Sequence, residues 1–128
     1  MRRLVLDTNI LIGLLMHPEN YAERLAAFDE VIMSPTVLGE YRAGLFQTKA
    51  GRANRAALEA YLQNPAVHVL PITDATARLY AQVFQALKAK GTPIPVNDIW
   101  IAAFALEQGA CLATDDIHFN LVPLLQVV

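Results

Sequence analysis

The chain opens on a short apolar run, Arg3–Leu6, that an acid interrupts: VLDTNILIGLL places Asp7 where aliphatic residues should continue. Comparable short runs recur at Val31–Met33, Val67–Leu70 and Ala110–Ala113. Arg3–Leu6 reads as a buried strand, and Val67–Leu70 as a strand because it is short and β-branched. Helical patterns lie between them. Asn9–Met16 is apolar and ends at His17-Pro18, and Tyr21–Phe28 reads as a second short helix. Ser34-Pro35 supplies an N-cap and a first-turn proline for a helix predicted to run to about Gly51 and to continue through Ala53–Leu62. Thr73 can cap a long helix whose Leu79, Tyr80, Val83, Phe84 and Leu87 recur at helical spacing, with Lys88, Lys90 and Gly91 as its end. After the Pro-rich connection Thr92–Val96, Asn97–Gln108 is apolar nearly all round and is therefore expected to be central. Leu121–Val128 is expected to hold a last strand, interrupted by Pro123. Short strands alternating with helices predict an α/β fold with a mostly parallel sheet, in a single domain spanning 1–128.

Composition narrows the class. Hydrophobic residues make up 55% of the 128, more than the usual ~45–50%, which excludes disorder and suggests apolar surface buried against another chain, as in a homodimer. The longest apolar stretches, Ile10–Met16 and Ile99–Leu106, fall well short of the roughly 20 residues a bilayer span requires. Asp7 would sit inside any N-terminal leader's apolar segment, so a cytoplasmic protein without membrane attachment is expected. A single cysteine, Cys111, cannot form an internal disulfide and is expected to be a small buried side chain.

The formal net charge of −2 argues against a broadly basic surface for nucleic acid. Its distribution is uneven, however. Between Tyr41 and Leu58 stand Arg42, Lys49, Arg52 and Arg55 with no acid among them. That segment is either a solvated helix face or a contact for phosphates.

The acids carry the candidate chemistry. Asp7 directly follows a buried strand, where an unpaired carboxylate would be costly. Asp115-Asp116 follow another strand, Asp98 lies in the first turn of the central helix behind Asn97, and Glu40 falls on the rim of an apolar helix stripe. Singly, each has a plain structural explanation as a cap, a turn residue or a surface acid. Jointly, carboxylates at neighbouring strand and helix ends would repel one another, and a hard divalent cation relieves that repulsion. With four acids assigned to such a site, ten bases face eight acids in the remainder, a balance mildly suited to a polyanion.

Three segments, LVLDTNILIGLL, SPTVLGEYRAGL and LKAKGTPIPVNDIWIAAFALEQGACLATDDIHF, follow one another in this order over most of the chain. With their Asp-Thr-Asn, Pro-x-Asn-Asp-x-x-Ile-Ala-Ala and Ala-Thr-Asp-Asp-x-His-Phe motifs, the sequence resembles the PIN-domain ribonucleases, in particular VapC-type toxins of toxin–antitoxin pairs. The resemblance implies a three-layer α/β/α sandwich and an acidic quartet at Asp7, Glu40, Asp98 and Asp116. The family places a Thr two positions before its last acid and a Phe three after, so Thr114 and Phe119 select Asp116, with Asp115 assisting. Thr8, Asn9 and Thr114 are expected to orient the carboxylates. The implied cofactor is Mg2+, with Mn2+ able to substitute, and the implied reaction is hydrolysis of RNA by a water activated on the ion. His118 is expected to serve packing or hydrogen bonding rather than general-base chemistry. The implied partners are RNA and a VapB-like antitoxin.

Two rivals from other classes fit poorly. A signalling receiver domain requires adjacent acids after its first strand, an Asp after its third and a late Lys, whereas here Asp7 stands alone, Pro71 follows Val67–Leu70 and the final segment has no Lys. A haloacid-dehalogenase-like phosphatase requires a second Asp where Asn9 stands. The remaining alternative is a PIN-fold binding protein with weak or no catalysis.

Overall fold

The computed structural model describes residues 1–128. Four strands, β1 (Arg3–Leu6), β2 (Glu30–Met33), β3 (Val67–Val69) and β4 (Cys111–Ala113), form one sheet in the order β3-β2-β1-β4. Every pairing is parallel, with Leu4 opposite both Val31 and Cys111, and Leu6 opposite Ala113. Successive strand residues point to opposite faces. In β1 the residues Leu4, Val5 and Leu6 are all fully buried, so both faces of the sheet are covered. Six helices supply that cover: α1 (Thr8–Met16), α2 (Ala22–Leu25), α3 (Pro35–Leu45), α4 (Gly51–Leu62), α5 (Asp74–Lys90) and α6 (Val96–Glu107). The result is the expected α/β/α sandwich. No helix is long and apolar enough to cross a membrane.

One hydrophobic cluster runs through the layers, from β1 and β2 to Val83 and Leu87 of α5 and Phe104 of α6. Helix α6 is central, as its pattern predicts: Ile99 and the run Ile101–Ala105 are buried. The ends of α5 also match the sequence reading. The backbone N–H of Thr73 donates to Thr76 Oγ1 at 3.0 Å, and Gly91 closes the helix at φ 70°, a conformation glycine adopts without strain.

Several expectations are corrected. The helix predicted from Pro35 to about Gly51 stops at Leu45, and α4 starts afresh at Gly51. The Gln47 N–H donates to the Gly44 carbonyl at 3.0 Å, tightening the end of α3. The chain then folds back so closely that a Cβ at Gly51 would meet the Leu45 carbonyl at 2.5 Å. Tyr21–Phe28 contains only the single turn of α2. Asn97 does not cap α6; Pro95 precedes the first helical residue, and Asn97 lies exposed within the first turn. The last segment forms no strand. Val127 makes one isolated parallel bridge to Leu112, because Pro123 and the left-handed Leu124 (φ 66°) leave no regular ladder before it. Cys111 is half-buried rather than enclosed, its Sγ 3.4 Å from Gln126 Oε1.

Candidate functional site

The order of the sheet locates the site. From β1 the chain moves outward to β2 and β3, then returns to place β4 on the other side of β1. Ligands in open parallel sheets gather at such a switch point, beyond the carboxyl ends of the strands. Here those ends deliver Leu6-Asp7 and Ala113-Thr114 side by side, and the Asp7 N–H extends the ladder to the Ala113 carbonyl at 2.9 Å.

Asp7 is the most enclosed of the acids, 7% exposed. It caps α1, with Oδ1 accepting from the Thr8 N–H at 2.8 Å. Its Oδ2 accepts from the Thr114 hydroxyl at 2.7 Å. The structural and the chemical explanations of Asp7 are therefore compatible: the cap holds the carboxylate in place. Thr114 then reaches in the other direction, its Oγ1 accepting the Asp116 N–H at 3.0 Å. A 3-10 turn, Ile117–Leu121, follows and is capped by Asp116, whose Oδ1 accepts the His118 N–H at 3.2 Å.

Asp98 enters from the first turn of α6. His118 Nε2 lies 2.7 Å from Asp98 Oδ2 and 3.0 Å from Asp116 Oδ2. Burial pushes the Asp98 carboxyl above its ordinary range, and the negative charges of Asp7 and Asp116 push the same way, while the contact with His118 opposes them. Glu40 stands on the far side, its Oε1 accepting the Thr8 hydroxyl at 2.8 Å. The structure thus joins Glu40, Asp7, Asp116 and Asp98 in series through Thr8, Thr114 and His118.

The remaining predicted residues separate. Asn9 is exposed and no hydrogen bond of its side chain reaches an acid; one helical step past Thr8 turns it away by about 100°. Asp115 faces outward and pairs with Arg24 Nη1 at 2.9 Å. Arg42, Lys49, Arg52 and Arg55 are all exposed, and Arg42 is paired with Glu59 at 3.0 Å. Arg24 was not singled out by sequence reasoning. Its guanidinium also donates to the Thr114 carbonyl at 3.0 Å and the Val128 carbonyl at 2.9 Å, pinning the corner after β4. No local pattern marks that role, since the groups it joins are remote in sequence.

The donor set suits a hard cation. Ligand atoms of Asp98, Asp116 and His118 all lie within 4.8 Å of one another. Two of the three are carboxylate oxygens, and Asp7 adds its charge nearby; the Asp98 carboxyl is raised first by burial and then by the neighbouring charges, both of which a cation would offset. A groove of about 330 Å³, lined by Ile12, Met16, Tyr41 and Leu45, opens beside Glu40.

Comparison with known proteins gives a consistent result. The family model of the PIN domain matches residues 4–124. Ribonuclease VapC2 of Rickettsia felis is 32% identical over 129 residues, covering 94% of this chain and 92% of its own. Ribonuclease VapC4 of Mycobacterium tuberculosis is 29% identical over 127 residues, covering 99% and 96%. Among solved structures, VapBC2 of Rickettsia felis bound to a DNA fragment from their promoter superposes with a TM-score of 0.86 at 28% identity, over 98% of this chain and 97% of that one.

Proposed function

Because this chain belongs to the PIN-domain family, we propose that it is a metal-dependent endoribonuclease, the toxin of a toxin–antitoxin pair. One observation carries the reading: acids from four separate segments are linked in series at the sheet's switch point, with ligand atoms of Asp98 and Asp116 within 4.8 Å of each other, on a chain that matches ribonucleases along nearly its whole length. Asp7, Asp98, Asp116 and Glu40 would hold Mg2+, or Mn2+ in its place. Such an ion, when bound, neutralises charge on the phosphate and makes water a competent nucleophile at neutral pH.

The chain's own groups do the rest. Asp7 presents its oxygens in a fixed orientation, since each already accepts a hydrogen bond. Glu40, joined to the others only through Thr8, would, with Asp98, help hold the ion or accept the water's proton. Lys49, Arg52 and Arg55, exposed and without a carboxylate partner, attract the phosphates that flank the scissile bond. The apolar groove beside Glu40 suits a segment of a VapB-like antitoxin, which would cover the acids while seated there. Exposed Met16 is part of the groove's lining. The surplus of apolar surface also fits a homodimer acting in the cytoplasm.

Purified protein, freed of any partner, is expected to cleave RNA with Mg2+ or Mn2+ and to stop on chelation. Cleavage that persists in EDTA, or in both Asp7→Asn and Asp98→Asn, refutes the site. A correctly folded protein that binds RNA but never cleaves it would leave the binding-only alternative in its place.

A further inference from the structure

The acids Asp7, Asp116 and Asp98 come from three segments, yet two side chains of a single corner, Thr114–His118, link them. Thr114 joins Asp7 to Asp116. The link between Asp116 and Asp98 belongs to His118 alone. Its ring nitrogen Nε2 touches Oδ2 of both acids, at 2.7 and 3.0 Å, and its backbone N–H donates to the second oxygen of Asp116. Asp116 is therefore gripped at both oxygens by one residue. The ring is itself anchored, because the next residue, Phe119, is fully buried and packs with ring centroids 5.6 Å apart.

We infer that His118 is a positioning residue for the cation, setting the gap between Asp98 and Asp116 before the ion arrives. This inference rests on the divalent-cation reading above. Two like charges on separate elements would otherwise spread apart, and the ion would have to draw them together as it bound. A carboxylate oxygen has two lone-pair directions, so each Oδ2 held by His118 keeps one for a ligand bond, and Asp98 Oδ1 is engaged by no protein donor. Groups that orient metal ligands in this way typically contribute 10- to 100-fold in affinity.

The test is calorimetric titration of Mn2+ into the full-length protein, using wild type, Asp98→Asn, His118→Leu and His118→Gln. Leu keeps bulk without a donor, and Gln keeps a donor at similar reach. The expected result is Mn2+ binding about 10- to 100-fold weaker in H118L and largely restored in H118Q, with metal-free Tm close to wild type in the latter. Equal binding in wild type, H118L and H118Q would make His118 a bystander and overturn the inference. Tighter binding in H118L would show that the ring occupies the cation's own place and would overturn it as well. Loss of binding in D98N with none in H118L sinks only the role of His118, whereas a wild type that binds no Mn2+ sinks the metal reading together with it.

Discussion

Two phenylalanines mark two differently built regions. Phe119, at the corner after β4, is fully buried, and around it Thr114, Asp116, His118 and Arg24 make directed contacts that leave each acid little freedom. Phe46, at the turn between α3 and α4, is 84% exposed, and the neighbouring Lys49, Arg52 and Arg55 extend into solvent without partners. The first region holds like charges together against their repulsion, which requires anchoring. The second, on the proposed function, would offer charge of opposite sign to a flexible polyanion, which does not. A site that must place a cation to within a fraction of an ångström is built the first way, and a surface that only raises local substrate concentration is built the second.

Substitutions that empty the anchored region should have the largest effects. Asp7→Asn or Asp98→Asn is expected to reduce RNA cleavage by about three orders of magnitude, the loss of several kcal/mol of charge stabilisation, in protein whose circular dichroism is unchanged. Phe119→Ala should reduce stability by about 3–5 kcal/mol in urea denaturation. Thr114→Val removes the link between Asp7 and Asp116 while keeping the volume, and single-turnover cleavage should fall about 10- to 100-fold.

A pH measurement sharpens the same point. Because burial and two neighbouring acids raise the Asp98 carboxyl in the metal-free fold, its contribution to stability is fully present below the ordinary carboxylate range and is lost as pH rises through the folded value. Asp98→Asn should therefore raise the metal-free Tm at neutral pH, a gain that disappears in acid. A site residue whose removal stabilises the fold while abolishing cleavage is the signature of a charge held in burial beside other acids. If Tm falls instead, the His118 contact outweighs the repulsion.

The loose region should respond weakly. Replacing Lys49, Arg52 and Arg55 together by Ala is expected to weaken RNA binding several-fold at low ionic strength, with the difference vanishing as salt is raised. Phe46→Ala should alter stability by no more than about 0.5 kcal/mol. A large effect from either would mean that the turn is anchored after all.

Much of this architecture could be read from residue order. Buried strands appear as unbroken apolar runs because both faces of β1 are covered, and α6 as an all-round apolar helix because it lies in the core. Capping signals located the start of α3 and both ends of α5, since local hydrogen bonding decides them. Of the acids only Asp7 stood out alone, directly after a buried strand; Glu40, Asp98 and Asp116 each had a plain structural explanation, and the quartet came from their combination and the family resemblance. The break at Phe46–Ala50 was not, because residues there are compatible with a helix and only the close packing of Gly51 against Leu45 turns the chain. Nor was the end of the chain, where a single bridge replaces a strand.

What tertiary structure alone decided is how the acids are held. That Thr114 would bind Asp7, that His118 would span Asp98 and Asp116, and that Arg24 rather than the acidic cluster would take Asp115 all depend on groups remote in the chain. Periodicity and capping act over one or two turns and are written locally. The distance between two carboxylates on different elements is set by the packing of every layer between them, and no short stretch of sequence contains it.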